Sequence, residues 1–262
     1  MARIWLTLCL VISTATAAEQ KPVLSLVIDD LGYSLKKGMA VIDLEGRHTY
    51  AILPNAAYSQ RLAQHAHSLN KEVILHLPMQ SIQSGAAHEP DVLNESMDED
   101  QLTASVHTLL DKIPFIRGVN NHMGSHLTEI DFFMRPVIDS IRGYNPNLYF
   151  LDSRTSPRSV AYTQAVHAGL SSISRDVFLD NEPNPESIQL QLNIWLAKAR
   201  EHGSAIAIGH PYPPTIKVLQ EYLPAADGEF SFMPVSALIE ERKRRGFSAD
   251  RQKQLTVLRR VQ

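Results

Sequence analysis

The sequence predicts an α/β protein, an irregular (β/α) barrel of about seven to eight strands folded as a single domain. Three observations predict it. Short β-rich apolar runs recur along the chain, an amphipathic helical pattern follows each of them, and chemistry-bearing polar residues stand where the runs end. Strands alternating with helices imply a parallel sheet buried on both faces. About eight such units suit a barrel, and a doubly wound open sheet is the alternative arrangement.

The first residues read as processed rather than folded. Arg3 supplies a positive n-region, residues 4–12 an apolar core, and Thr14 to Ala18 the small residues that cleavage requires. The expectation is a signal peptide over 1–18, cut after Ala17 or Ala18, and an exported protein that is periplasmic or otherwise extracytoplasmic. The apolar core is shorter than the roughly 20 residues of a membrane span, and no later stretch approaches that length, so no stable membrane insertion is expected after cleavage. The single cysteine, Cys9, leaves with the signal, so the mature chain must be held by its core rather than by disulfides. Net charge is −3, or −4 once Arg3 is removed, which argues against nucleic acid or an anionic membrane as a partner.

The barrel domain is expected over 19–245, with a polar tail over 246–262. Its apolar runs are Val23–Ile28, Thr49–Leu53, Glu72–Leu75, Phe115–Val119, Leu148–Leu151, Ser171–Ser174, Ser204–Ile208 and Glu229–Met233. Between them, Asp98 and Gln101 have capping-box spacing before one helix. Asn184-Pro185 provides an N-cap and N1 pair for another, and Gly203 its C-terminal stop. Pro136 falls near the start of a third and is expected to bend it or shift its first turn. Trp195, with Leu192 and Leu196, reads as core. The irregular stretch from Pro78 to Met97 is a candidate rim loop over a site.

The polar decorations suggest chemistry. Asp29-Asp30 follows the first run, His76 the third, His122 and His126 the fourth, Asp152 the fifth, Arg175-Asp176 the sixth and His210 the seventh. In a parallel barrel those positions converge at one mouth. Two adjacent carboxylates repel one another unless a cation or a proton intervenes. Two histidines four apart plus a carboxylate from another strand supply a two-His, one-carboxylate set, which suits zinc and similar divalent ions and leaves a position for water. Structural alternatives stand beside these readings: Asp29-Asp30 as a turn cap, His122 and His126 as surface histidines of the following loop, His76 as a satisfied core histidine, Asp152 as an anchor for the Arg154 loop. Asp152 or Asp176 is also placed to orient a histidine through its second ring nitrogen.

These segments resemble the polysaccharide deacetylase superfamily, specifically its divergent branch found in bacterial envelopes. The resemblance runs from about Lys21 to about Ile239 and rests on Val27-Ile28-Asp29-Asp30-Leu31-Gly32, His122-Met123-Gly124-Ser125-His126 and Ile208-Gly209-His210-Pro211. His76-Leu77-Pro78-Met79 and Leu151-Asp152-Ser153-Arg154-Thr155 are similar to segments of the divergent branch. The resemblance implies an irregular (β/α) barrel that removes N-acetyl groups from an envelope polysaccharide such as peptidoglycan, using a divalent metal, zinc first among them. It implies Asp30, His122 and His126 as metal ligands, Asp29 as the base and His210 as the acid. His76 is left to the metal shell or to sugar contact. In the usual motif Gly directly follows the Asp pair, whereas Leu31 intervenes here, and the arginine-proline-aromatic motif is absent, with Arg154 or Arg175 as candidates to replace its arginine. That absence sets a second expectation beside the first: a non-catalytic envelope factor that keeps the barrel and metal site to bind glycan or protein.

Overall fold

The computed structural model describes residues 21–83, 91–226 and 228–246; the expected signal peptide and almost all of the expected tail lie outside them. The described chain runs β1 (Val23–Leu31), α1 (Leu35–Ile42), β2 (Thr49–Ile52), α2 (Ser59–Ser68), β3 (Glu72–Met79), α3 (Glu99–Lys112) and β4 (Ile116–Met123). It continues with α4 (Asp131–Tyr144), β5 (Tyr149–Asp152), α5 (Ala161–His167), β6 (Ser171–Ser174), β7 (Val177–Phe178) and α6 (Pro185–His202). The last elements are β8 (Ser204–Gly209), α7 (Pro213–Ala226), β9 (Ser231–Phe232) and α8 (Val235–Arg244).

The strands pair in parallel in the order β6-β5-β4-β3-β2-β1-β8-β7. β9 pairs with the start of β1, at Val23 and Leu24, and β2 takes over from Val27 onward. β6 and β7 stand at opposite ends of this order, yet only Arg175 and Asp176 separate them. The Arg175 N–H donates to Asp152 O and the Asp176 N–H to Ile206 O, each at 3.0 Å. The sheet is therefore curled until its edges meet, and the barrel is irregular because no helix fits between β6 and β7.

Strand alternation sorts the side chains into two cores. Leu24, Leu26, Ile28, Leu75, Leu77, Phe150 and Ala207 face the surrounding helices. Val27, Ala51, Ile74, Tyr149, Leu151, Ile173, Ile206 and Ile208 fill the barrel interior with Val235, Leu238 and Ile239 of α8. The floor is tied by buried Glu72, whose Oε1 accepts from Thr49 Oγ1, Tyr149 Oη and the Ser236 N–H at the start of α8. Continuing the interior set toward the C-terminal ends reaches Asp29, His76, Ser153, Arg175 and His210. The alternation that builds the hydrophobic floor thus also delivers the polar mouth.

The expected punctuation is present. Asp98 and Gln101 form the capping box of α3; Asn184 caps α6 through the Ser187 N–H, and Gly203 ends that helix at φ 74°. Trp195 is fully buried and donates Nε1–H to Ala205 O. Pro136 lies inside α4, which runs on across it. β3 and β4 are longer than their apolar runs because paired register from Leu75↔Val119 to Met79↔Met123 carries the ladder through the polar residues.

His48, just before β2, is buried; its Nε2–H donates to Glu45 O at 2.6 Å and its Nδ1 has no partner. Burial pushes its imidazole down to about 4, since a second ring proton would have no acceptor. Between about pH 6.5 and 4 the unfolded chain therefore binds a proton that the folded chain excludes. Stability should fall as pH drops through that window, by up to about 3 kcal/mol. Urea unfolding from pH 7 to 4 should show the slope, and His48→Gln should flatten it; an unchanged slope in the variant would place the loss on other groups.

Candidate active site

The paired carboxylates reach one cavity because of a bulge. Between Ile28↔Tyr50 and Leu31↔Ile52, β1 spends one residue more than β2, and Asp30 sits in that excess with φ 58°. Simple alternation would send Asp29 inward and Asp30 outward. The left-handed turn at Asp30, sparsely populated for a non-glycine residue, swings its side chain back to the mouth. β4 ends with Met123 at φ 52° and Gly124 at φ 87°. Asn121 secures that turn: its Nδ2 donates to Met123 O, and its Oδ1 accepts from the Ser153 N–H.

Three ligand atoms converge there. Asp30 Oδ1 lies 3.1 Å from His76 Nε2 and 2.9 Å from His122 Nδ1, and the two nitrogens are 3.0 Å apart. Asn120 donates through Nδ2 to Asp29 Oδ1 and Ser153 Oγ, so its Oδ1 faces His76 and accepts Nδ1–H at 2.8 Å. That leaves Nε2 as the ring nitrogen aimed at Asp30 and His122, the one whose lone pair a cation would take. A carboxylate oxygen and two imidazole nitrogens crowded together suit a divalent cation. Ligands at ~2.0–2.2 Å from a tetrahedral ion stand about 3.3 Å apart, so a few tenths of an ångström of opening admits one. Burial alone would raise the Asp30 pKa, but its hydrogen bonds to His122 and His76 outweigh this and hold it well below the usual carboxylate range.

His126 is not brought into this cluster. The Met123-Gly124 turn carries it to the rim, where Nε2 meets Glu95 Oε2 at 2.8 Å and its N–H donates to Gln80 O. His-x-x-x-His places both rings on one face of an unbroken helix or strand, whereas here a strand end and a left-handed turn separate them. His76, which the sequence left between metal and sugar, stands in its place. His126 instead pins the loop that follows β3, together with the paired Gln80 and Glu95.

Asp29 is buried beside the cluster, with Oδ2 3.7 Å from His76 Nε2. Burial pushes its carboxyl up, against the pull of His76 and His210 and of the Asn120 hydrogen bond. His210 approaches from β8, its Nε2 3.8 Å from Asp30 Oδ2. Its Nδ1 meets Asp180 Oδ1 at 2.8 Å, while Asp180 Oδ2 accepts from the His210 N–H and Thr215 Oγ1 at 2.7 Å each. Burial works against the charged ring, but Asp180, Asp30 and Asp29 outweigh it and raise the His210 pKa. Asp180 is thus the orienting carboxylate, and the two expected candidates serve elsewhere. Asp152 faces away from the interior and accepts from the Arg154 N–H and Ser159 Oγ, anchoring the loop after β5. Asp176 accepts from the Ile206 N–H and Arg242 Nη2, at the barrel seam.

Around these groups lies a cavity of about 430 Å³, also lined by Arg154, Arg175 and Phe178. Burial pulls the Arg175 guanidinium down to about 10, which still leaves it charged. It donates to Ser153 O and Arg154 O and stacks over Phe178, 4.8 Å from the ring centroid. Tyr212 stacks on His210 at 5.3 Å at the cavity edge.

The sequence profile of the divergent polysaccharide deacetylases matches residues 26–239, from inside β1 to the middle of α8. The chain belongs to that family. It is 35% identical over 218 residues to the uncharacterized protein YibQ of Escherichia coli, covering 83% of this chain and 67% of YibQ. An uncharacterized Haemophilus influenzae protein is 38% identical over 197 residues, 75% of this chain and 69% of its own. Among solved structures, the uncharacterized protein ATU2773 of Agrobacterium tumefaciens superposes with a TM-score of 0.79 at 25% identity, over 85% of this chain and 91% of that one. A lactam utilization protein of Thermus thermophilus, at TM-score 0.54 and 13% identity over 82% of this chain and 99% of that one, shares the fold alone.

Proposed function

We propose that the protein is a metal-dependent hydrolase that removes N-acetyl groups from an envelope polysaccharide built of amino sugars, and that it works outside the cytoplasm after loss of residues 1–18. The observation that carries this reading is the convergence of Asp30, His76 and His122 beside an uncoordinated buried carboxylate and an opposed, carboxylate-bound histidine. A divalent ion on those three ligands, for which we propose zinc, would acidify water and polarise an amide carbonyl. Asp29, with its pKa raised by burial, is the stronger base and accepts the proton of the attacking water. His210 holds a proton on Nε2, because Asp180 occupies its Nδ1–H, and delivers it to the departing amine. Arg175 holds the backbone of the β5 loop against this centre and offsets the carboxylates. The family assignment supports a polysaccharide substrate.

Acetate release from N-acetylated chitooligosaccharide and peptidoglycan fragments by zinc-loaded protein tests the reading. A bell-shaped pH profile is expected: activity falls on the acid side as Asp29 gains a proton and on the alkaline side as His210 loses one. The raised His210 pKa moves the alkaline limb above the ordinary histidine range, and Asp180→Asn should bring it down. Metal bound in stoichiometric amount without acetate release from any such glycan would favour the non-catalytic binding role.

A further inference from the structure

We propose that Arg154 is a recognition residue for a carboxylate carried by the sugar substrate, so that the site prefers acidic amino-sugar polymers over neutral ones. This rests on the deacetylase reading and names its substrate class. Arg154 lines the cavity, half-buried, and its guanidinium makes no hydrogen bond or ion pair with any described residue. Arg158, four residues on, is by contrast bound in a fork by Glu129. The cavity's own carboxylates make no ion pair with Arg154 and have other partners. Asp30 is engaged by His76 and His122, and Asp29 by Asn120.

The backbone at Arg154 is held deliberately. Its φ is 49°, a left-handed conformation unfavourable for a long side chain. Two charged groups fix it: buried Asp152 accepts its N–H through Oδ1 at 2.8 Å, and half-buried Arg175 donates from Nη2 to its carbonyl at 2.9 Å. Arg175 commits Nε–H and one Nη2–H to backbone, whereas Arg154 commits none of its guanidinium donors to a described residue. A divalent ion on Asp30, His76 and His122 would balance the two aspartates, and Asp180 is already paired with His210, which leaves the guanidiniums of Arg154 and Arg175 as the positive charge lining the cavity. A planar fork facing such a cavity matches a carboxylate in two-point geometry.

The test is direct binding, read by calorimetry on zinc-loaded Asp29→Asn protein, which keeps substrate intact. The probes are an N-acetylated oligosaccharide bearing one carboxylate per disaccharide, the same oligosaccharide with that carboxyl reduced to an alcohol, and free acetate. The carboxylate form should bind about 10- to 100-fold tighter than the alcohol. Adding Arg154→Asn, a residue that tolerates left-handed φ, should collapse that ratio toward one, and Arg154→Lys should recover part of it. An equal affinity for both oligosaccharides, or a ratio unchanged in Arg154→Asn, would overturn the proposal. So would an Arg154→Asn effect seen equally on free acetate, which would assign Arg154 to the product. If neither oligosaccharide binds and wild-type protein releases no acetate, the deacetylase reading itself fails, and this inference with it.

Discussion

Asp29→Asn is expected to lower acetate release about 100- to 10,000-fold while leaving bound metal at one equivalent, because it removes a proton acceptor and no ligand. Asn is isosteric with Asp, and its side-chain oxygen can still accept from Asn120 Nδ2, which lies 2.9 Å from Asp29 Oδ1. Burial disfavours the carboxylate at this position, so the neutral amide should leave thermal stability unchanged or raise it. The acid limb of the pH profile should vanish with the carboxyl. Steady-state kinetics alongside metal analysis check both halves. Loss of metal together with activity would show instead that Asp29 is a ligand.

His76→Ala is expected to abolish stoichiometric metal binding and to bring hydrolysis to background, whereas His126→Ala should keep both. The asymmetry follows from geometry: His76 Nε2 is 3.1 Å from Asp30 Oδ1, while His126 is committed to Glu95 at the rim. The His76 variant also strands Asn120 Oδ1, at a cost of about 1–3 kcal/mol. Circular dichroism and thermal melts must therefore accompany the metal measurement, so that a lost ion is not mistaken for a lost fold. A His126→Ala protein without metal would reinstate the spacing-based ligand set.

Much of this fold is legible in the sequence because barrel interiors obey a period of two. Val27-Ile28-Asp29 and Ile206-Ala207-Ile208-Gly209-His210 each show an apolar strand whose inward face turns polar at its end. Capping signals at Asp98 and Asn184 read correctly for a local reason: the side chain and the N–H it caps lie three residues apart. What misleads is spacing read across a turn. His122 and His126 look like a ligand pair, but the left-handed pair Met123-Gly124 rotates one of them outward, and φ is not written in the residue letters. His76 looks like part of an apolar strand because its polar partners, Asn120 and Asp30, come from other strands. Asp180 follows a strand of only two residues, Val177–Phe178, too short to announce itself by pattern. Its signal would have been a carboxylate on the strand beside that of His210, and adjacency of β7 and β8 appears only once the barrel closes.

The most direct test of the metal centre is anomalous diffraction at the zinc edge from crystals of the zinc-loaded protein. The expected result is one strong peak within about 2.0–2.2 Å of Asp30 Oδ1, His76 Nε2 and His122 Nδ1, with His126 still on Glu95. A peak bonded to both His122 and His126, with His76 outside its shell, would contradict it.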